Sequence, residues 1–243
     1  MLTDLVRPGE KVEIEAAEQA IMGSSKEKKK IYYTRVYDIL DDEKLEVLMP
    51  MEGTKLVLLP VDGEFRFCFY TKKGLYQCFI RVVERYKSNN VFILLCEVTS
   101  PLSKHQRREY YRYATALNIQ TRELLPEEEK LVDEGKFHAQ MGLPLSKGMT
   151  ADLSGGGVRF LSKEQYKPDS HIYIEFNLVI GNKEQTYALV GLVLQSKASE
   201  VRDGEFEHRV KFVVIDSVQR EEIIRYIFDE ERKNRRRMTG IGL

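Results

Sequence analysis

The chain has no surplus of charge of either sign: 38 basic and 38 acidic residues cancel over 243 positions. That excludes a global electrostatic pull toward nucleic acid or membrane, so any anion site must be local. No stretch approaches the ~20 consecutive apolar residues of a membrane-spanning helix. The N-terminal MLTDLVRPGEKVEIE lacks the charged-then-apolar layout of a signal peptide. Cysteine is scarce. Cys68, Cys78 and Cys96 fall in apolar, strand-like runs without a CxxC, and an odd count argues against a disulfide framework. The expectation is a cytoplasmic protein with reduced, buried thiols.

The strings that carry common catalytic chemistry are missing as well. GxSxG is absent, because Asp152 stands where its first glycine would be. There is no Walker A string and no GxGxxG. HExxH is missing, and His105, His138, His171 and His208 are widely scattered, which leaves a metal site without support. No nucleophile–base pair can be drawn, so the expectation is no enzyme, no metal and no cofactor.

What is present is mostly strand. Residues 11–16, 30–39, 45–48, 55–59, 64–71, 75–86 and 91–98 alternate or are rich in β-branched and aromatic side chains. Gly74 ends a hairpin-like Tyr70-Thr71-Lys72-Lys73 run and is free to take positive φ. Ser100-Pro101 closes this block, since proline stops sheet pairing. A second block holds the strictest alternation: Ile172, Ile174, Phe176 and Leu178 share one face, and His171, Tyr173, Glu175 and Asn177 the other. Residues 186–195 and 207–215 repeat it.

Length and pattern predict a mainly β protein of two small barrels in tandem. The predicted division is a domain over 1–98, a linker over 99–108 and a second domain over 109–243. An insertion over 124–142 carries Pro126 at a first helical position followed by acids. A C-terminal helix over about 217–237 is expected to be capped by Asp216, with Gln219 reaching back. Ile223, Ile224, Ile227 and Phe228 form its apolar stripe. Arg232, Lys233, Arg235, Arg236 and Arg237 suit a solvated helix end, with binding to a partner or to an anionic surface as the alternative.

Two strings stand out: QRREYYR, Gln106 to Arg112, and DLSGGG, Asp152 to Gly157. The three tyrosines of the first region favour an extended run, with a strand entered at about Tyr110. Its guanidinium groups can grip phosphate, bond the O6/N7 edge of guanine in bidentate fashion, or stack on a base. Asp152 offers an acceptor pair suited to the N1–H and N2–H₂ donors of guanine, and Ser154 adds a hydroxyl. The glycines permit a tight turn that exposes amide donors. Taken alone, each string also has an ordinary structural reading. The first can be a salt-bridge cluster with Glu109, and the second a hairpin in which Asp152 and Ser154 bond turn amides.

Taken together, RRxxxR at Arg107, Arg108 and Arg112 followed by DxSxxG at Asp152, Ser154 and Gly157 resembles the PilZ domain, the bacterial receptor for cyclic di-GMP. The first block, with LMPMEGTKLVLLP and YTKKGLYQCFIRV, looks like the barrel that precedes PilZ in flagellar brake proteins of the YcgR type. The resemblance implies a six-stranded second barrel followed by a helix. It implies that Arg107 and Arg108 hold guanine and phosphate from the interdomain linker, with Arg112 in support. Asp152 and Ser154 would read the other guanine, and Gly157 would permit the turn. The extra Arg107 resembles members that hold a stacked ligand dimer.

The implied ligand is cyclic di-GMP, and its binding would reset the domain angle so that the protein docks on a flagellar stator or rotor component. The implied protein is a monomer or dimer. The alternative is a PilZ-fold adaptor acting through protein contacts on another target, such as exopolysaccharide production. A general nucleic-acid-binding barrel is opposed by zero net charge and the lack of an aromatic stacking platform.

Overall fold

The computed structural model describes every residue except 18–29, 135–138, 141, 182 and 239–243. It divides into two compact units, Met1–Arg107 and Arg108–Leu243. His138 and part of the expected insertion lie outside the described residues.

In the first unit a short helix α1 (Leu2–Leu5) precedes β1 (Lys11–Ala16), β2 (Ile31–Ile39) and β3 (Lys44–Leu48). There follow a small β4–β5 ribbon (Met51–Glu52, Lys55–Leu56), β6 (Glu64–Thr71), β7 (Gly74–Ser88), β8 (Val91–Val98) and β9 (Ser103–Lys104). The order β6-β1-β2-β3-β8-β7 closes through β6–β7 pairing into a six-stranded barrel, and β9 is added to β7. Period-two alternation sends Val12, Ile14, Phe67, Phe69, Ile80, Val82 and Leu94 into one core, which Leu2 and Val6 help to close. The turns match their residues. Gly74 takes φ 123°, and Asn89 and Asn90 take φ 47° and 64° between the paired Ser88 and Val91. Positive φ at both central residues is what a type I′ hairpin requires. The strand expected over 55–59 shrinks to Lys55–Leu56. All three cysteines are free and buried, and burial pushes the Cys78 and Cys96 thiols up to about 12.

The second unit contains β10 (Asn118–Glu123), α2 (Pro126–Asp133), β11 (Ser146–Ser154), β12 (Gly157–Ser162), β13 (His171–Ile180), β14 (Lys183–Ala198), β15 (Phe206–Val214) and α3 (Ser217–Met238). Its strands close as β10-β11-β12-β15-β14-β13. Ile172, Ile174, Phe176 and Leu178 of β13 are buried together, as their alternation requires. The strand expected at about Tyr110 starts only at Asn118. The intervening residues are extended but irregular, because their tyrosines pack locally and leave a single bridge at Tyr113.

The α3 cap forms as expected. Asp216 Oδ1 accepts from Gln219 N at 2.8 Å, and Gln219 Oε1 accepts from Asp216 N at 3.4 Å. The buried stripe is Ile223, Tyr226 and Ile227, with Ile224 partly covered, whereas Phe228 is 51% exposed.

The Glu128 carboxylate ties helix α2 to the barrel. Glu128 receives Arg122 of β10 at 2.6 and 2.7 Å, Leu125 N at 2.9 Å and Gln140 N at 2.8 Å. The Arg122 guanidinium also lies 5.0 Å over the Tyr173 ring, which packs with Leu124 and Val190 outside the main core. The described part of the insertion is therefore anchored over β10 and β13. Led by the Arg122 bonds, these contacts hold the Glu128 carboxyl at about 2, below its usual 4.5. A depressed carboxylate contributes stability above its unfolded pKa and loses it as pH falls. The shift corresponds to about 3 kcal/mol. Glu128→Ala leaves Arg122 buried without its partner, and is expected to lower stability at neutral pH by about 3–5 kcal/mol. Urea midpoints of wild type and variant should converge as pH drops from about 4.5 to about 2. A pH-independent gap would refute this account.

Candidate functional site

The second string forms a tight hairpin corner. Ser154 pairs with Gly157, and in that register Asp152 faces Arg159 across β11 and β12. None of the three glycines lies in the positive-φ region, so none is demanded by the turn. Close approach demands them instead. A β-carbon on Gly155 would sit 2.7 Å from Ile224, one on Gly156 would sit 2.7 Å from Tyr110, and one on Gly157 would sit 2.1 Å from the Val210 carbonyl. The expectation that Gly157 permits the turn is corrected accordingly. Its missing side chain lets β12 lie against β15.

The first string is anchored by its tyrosines. Tyr110 covers Gly155 and Gly156, and the Arg220 guanidinium stacks 5.3 Å over its ring while Arg220 Nη1 donates to Gly155 O at 2.9 Å. Tyr111 stacks on Phe228 of α3 at 6.4 Å between ring centroids, and Tyr113 Oη accepts from Asn234 at 2.7 Å. The backbone is tied too. Tyr113 and Leu153 exchange both N–H···O bonds at 2.9 Å, and the Thr150 hydroxyl links to Thr115 O and Leu117 N. Arg112 and Ala114 flank that bridge on one strand, and Asp152 and Ser154 flank it on the other. Arg108 and Arg112 are exposed.

Asp152 does not bond turn amides. Its Oδ2 accepts from Arg159 Nε at 2.6 Å, and Arg159 Nη1 donates to Glu207 of β15 at 2.9 Å. Arg159 thus fixes the carboxylate while leaving it acceptor capacity. Ser154 is buried and donates to Gly157 O at 3.0 Å, so its remaining lone pairs can only accept. Of the expected residues, Arg112, Asp152, Ser154 and Gly157 meet along β11 and its corner, and Arg108 opens the same unit. Arg107 belongs to the first unit, where it bonds Glu13 and Tyr70. Sequence reasoning missed Tyr110, Arg159 and Arg220. Arg159 was within reach by counting outward from a two-residue turn, whereas Arg220 lies 65 residues from its partner Gly155.

A closed antiparallel barrel with an arginine-rich lead-in, an acid–serine–glycine corner and a C-terminal helix defines a distinct class of β-barrel domain. The chain belongs to the PilZ family: residues 106–229 match the family model described as PilZ domain. Residues 7–97 match the model described as PilZNR, Flagellar protein YcgR. No curated protein sequence matches. Among solved structures, the Bacillus subtilis inhibitor of motility (MotI/DgrA) is similar with a TM-score of 0.71 and 16% identity, over 95% of this chain and 100% of that one. Escherichia coli YcgR in complex with c-di-GMP is similar with a TM-score of 0.50 and 13% identity, over 99% and 92%. No helix among the described residues is long and apolar enough to cross a membrane.

Because the corner glycines answer to contacts, the cost of alanine should follow contact distance. Gly157→Ala is expected to cost more than about 3 kcal/mol by forcing β12 from β15. Gly204→Ala, at φ 73° with open space around it, should cost about 1 kcal/mol. Thermal unfolding of both variants checks the order, and equal losses would refute it.

Proposed function

We propose that the protein is a cyclic di-GMP-binding effector that restrains flagellar motility. The reading rests on one observation: the Tyr113–Leu153 bridge ties the arginine segment to β11, next to Arg112 on one side and between Asp152 and Ser154 on the other, in a PilZ-family chain. The Asp152 carboxylate, steadied by Arg159, accepts the N1–H and N2–H₂ donors of one guanine, and Ser154 accepts a further hydrogen bond. Arg107 and Arg108 hold the other guanine and the phosphates, and Arg112 supports them.

The motility reading is supported by the match of residues 7–97 to the model described as Flagellar protein YcgR. It makes the protein cytoplasmic, with a stator or rotor component of the motor as its partner. A ligand resets a domain arrangement only through differential affinity, and a nearly complete switch needs about 5.5 kcal/mol. Micromolar binding supplies about 8 kcal/mol in total, so most of it must be differential.

Calorimetric titration with cyclic di-GMP tests the site. Wild type is expected to bind, with Asp152→Ala and Arg108→Ala weaker by roughly 10- to 100-fold. No binding by wild type would overturn the proposal. A ratio near two per chain that falls to one in Arg107→Ala marks a stacked ligand dimer, and a ratio of one in both removes it. Production in swimming cells with abundant ligand should slow them, and Asp152→Ala should relieve the slowing. Intact binding with unchanged swimming would move the output to another target.

A further inference from the structure

The lead-in to the arginine pair is attached to the first barrel. Ser103 and Lys104 pair with Gln77 and Tyr76 of β7, and His105 N donates to Leu75 O at 2.8 Å. The strap ends at Arg107, whose Nη1 lies 3.2 Å from Glu13 Oε2 on β1 and donates to the Tyr70 hydroxyl on β6 at 2.9 Å. The same guanidinium stands 5.2 Å over the Tyr70 ring. Tyr70 completes the triangle by donating to Glu13 Oε2 at 2.7 Å. Burial, then the bond to Glu13, raises the Tyr70 hydroxyl to about 12, so it remains a donor.

Glu13 is not an ordinary surface acid. Its side chain is 11% exposed, against 42% for Arg107. Two residues along β1, Glu15 is buried and paired with Arg66 of β6. A carboxylate withdrawn from water needs a cation, and removing that cation is costly. Arg107 thus has a defined resting place that any competing anion must displace.

We infer that Glu13 and Tyr70 form a latch that holds Arg107 on the first barrel, and that a guanine dinucleotide must break this latch to recruit it. Glu13 then sets ligand affinity without touching the ligand. The inference rests on the proposed cyclic di-GMP site. Apparent affinity falls with the fraction of molecules whose Arg107 is released. Neutralising Glu13 while keeping its shape should raise that fraction.

The test is calorimetric titration of the full chain with cyclic di-GMP. Glu13→Gln is expected to bind about tenfold tighter than wild type, equivalent to about 1.4 kcal/mol. Tyr70→Phe, which keeps the ring and removes the hydroxyl's bonds to Arg107 and Glu13, should bind roughly threefold tighter, equivalent to about 0.7 kcal/mol. In an Arg107→Ala background both gains should vanish, which a general loosening of the first barrel would not produce. Wild-type binding with unchanged or weaker binding in both variants overturns the latch and leaves the site standing. Gains that persist without Arg107 also overturn it. No wild-type binding overturns the site and the latch with it. Should Glu13→Gln fail to fold, Tyr70→Phe and its Arg107→Ala double variant decide the question alone.

Discussion

Tyr110 lies against Gly155 and Gly156 more closely than a β-carbon on either would allow, and the arrangement of the second domain's site depends on that contact. It turns an irregular lead-in into a positioned one without the regular hydrogen bonding of a strand. Tyr111 on Phe228 and Tyr113 on Asn234 extend the anchorage along α3. The segment thereby separates two jobs by residue type. The aromatic rings pack against the protein, where stacking rewards them. The guanidinium groups of Arg108 and Arg112 are left at the surface.

Zero net charge conceals a set of local pairs. Glu128 is paired by Arg122, Glu15 by Arg66, Asp152 by Arg159 and Glu13 by Arg107. These pairs differ in purpose because they differ in burial. Arg122 and Glu128 are 9% and 5% exposed and serve structure. Arg159 is more open and shared with Glu207, so it can orient Asp152 without consuming it. Arg107 is more open again and is the last residue of its unit.

Much of the fold was legible because burial and alternation are local signals. The β13 face of Ile172, Ile174, Phe176 and Leu178 needed only a count of two, and the Asp216–Gln219 cap only a spacing of three. Of the apolar stripe read from periodicity, Phe228 stays half exposed against Tyr111, because helical periodicity gives an angle and not a neighbour. Tyr226 takes the core position instead. The strand begun too early at Tyr110 has the same origin: aromatic enrichment reads as β propensity, which in fact reports fit to a pleated neighbour. At the corner, the glycines were noticed but credited to turning, although none has positive φ.

The sequence by itself determined that there would be two β domains, which residues would face their cores, and which residue types were suited to guanine and phosphate. Those properties follow from side-chain periodicity and functional-group chemistry, which need no coordinates. Only the tertiary structure decided which neighbours the chain would bring together: Val210 against Gly157, Arg220 on Gly155, Arg159 on Asp152, and Glu13 with Tyr70 on Arg107. Glu13 stands 94 residues from Arg107, and barrel closure together with the β9 strap brings them within hydrogen-bond distance.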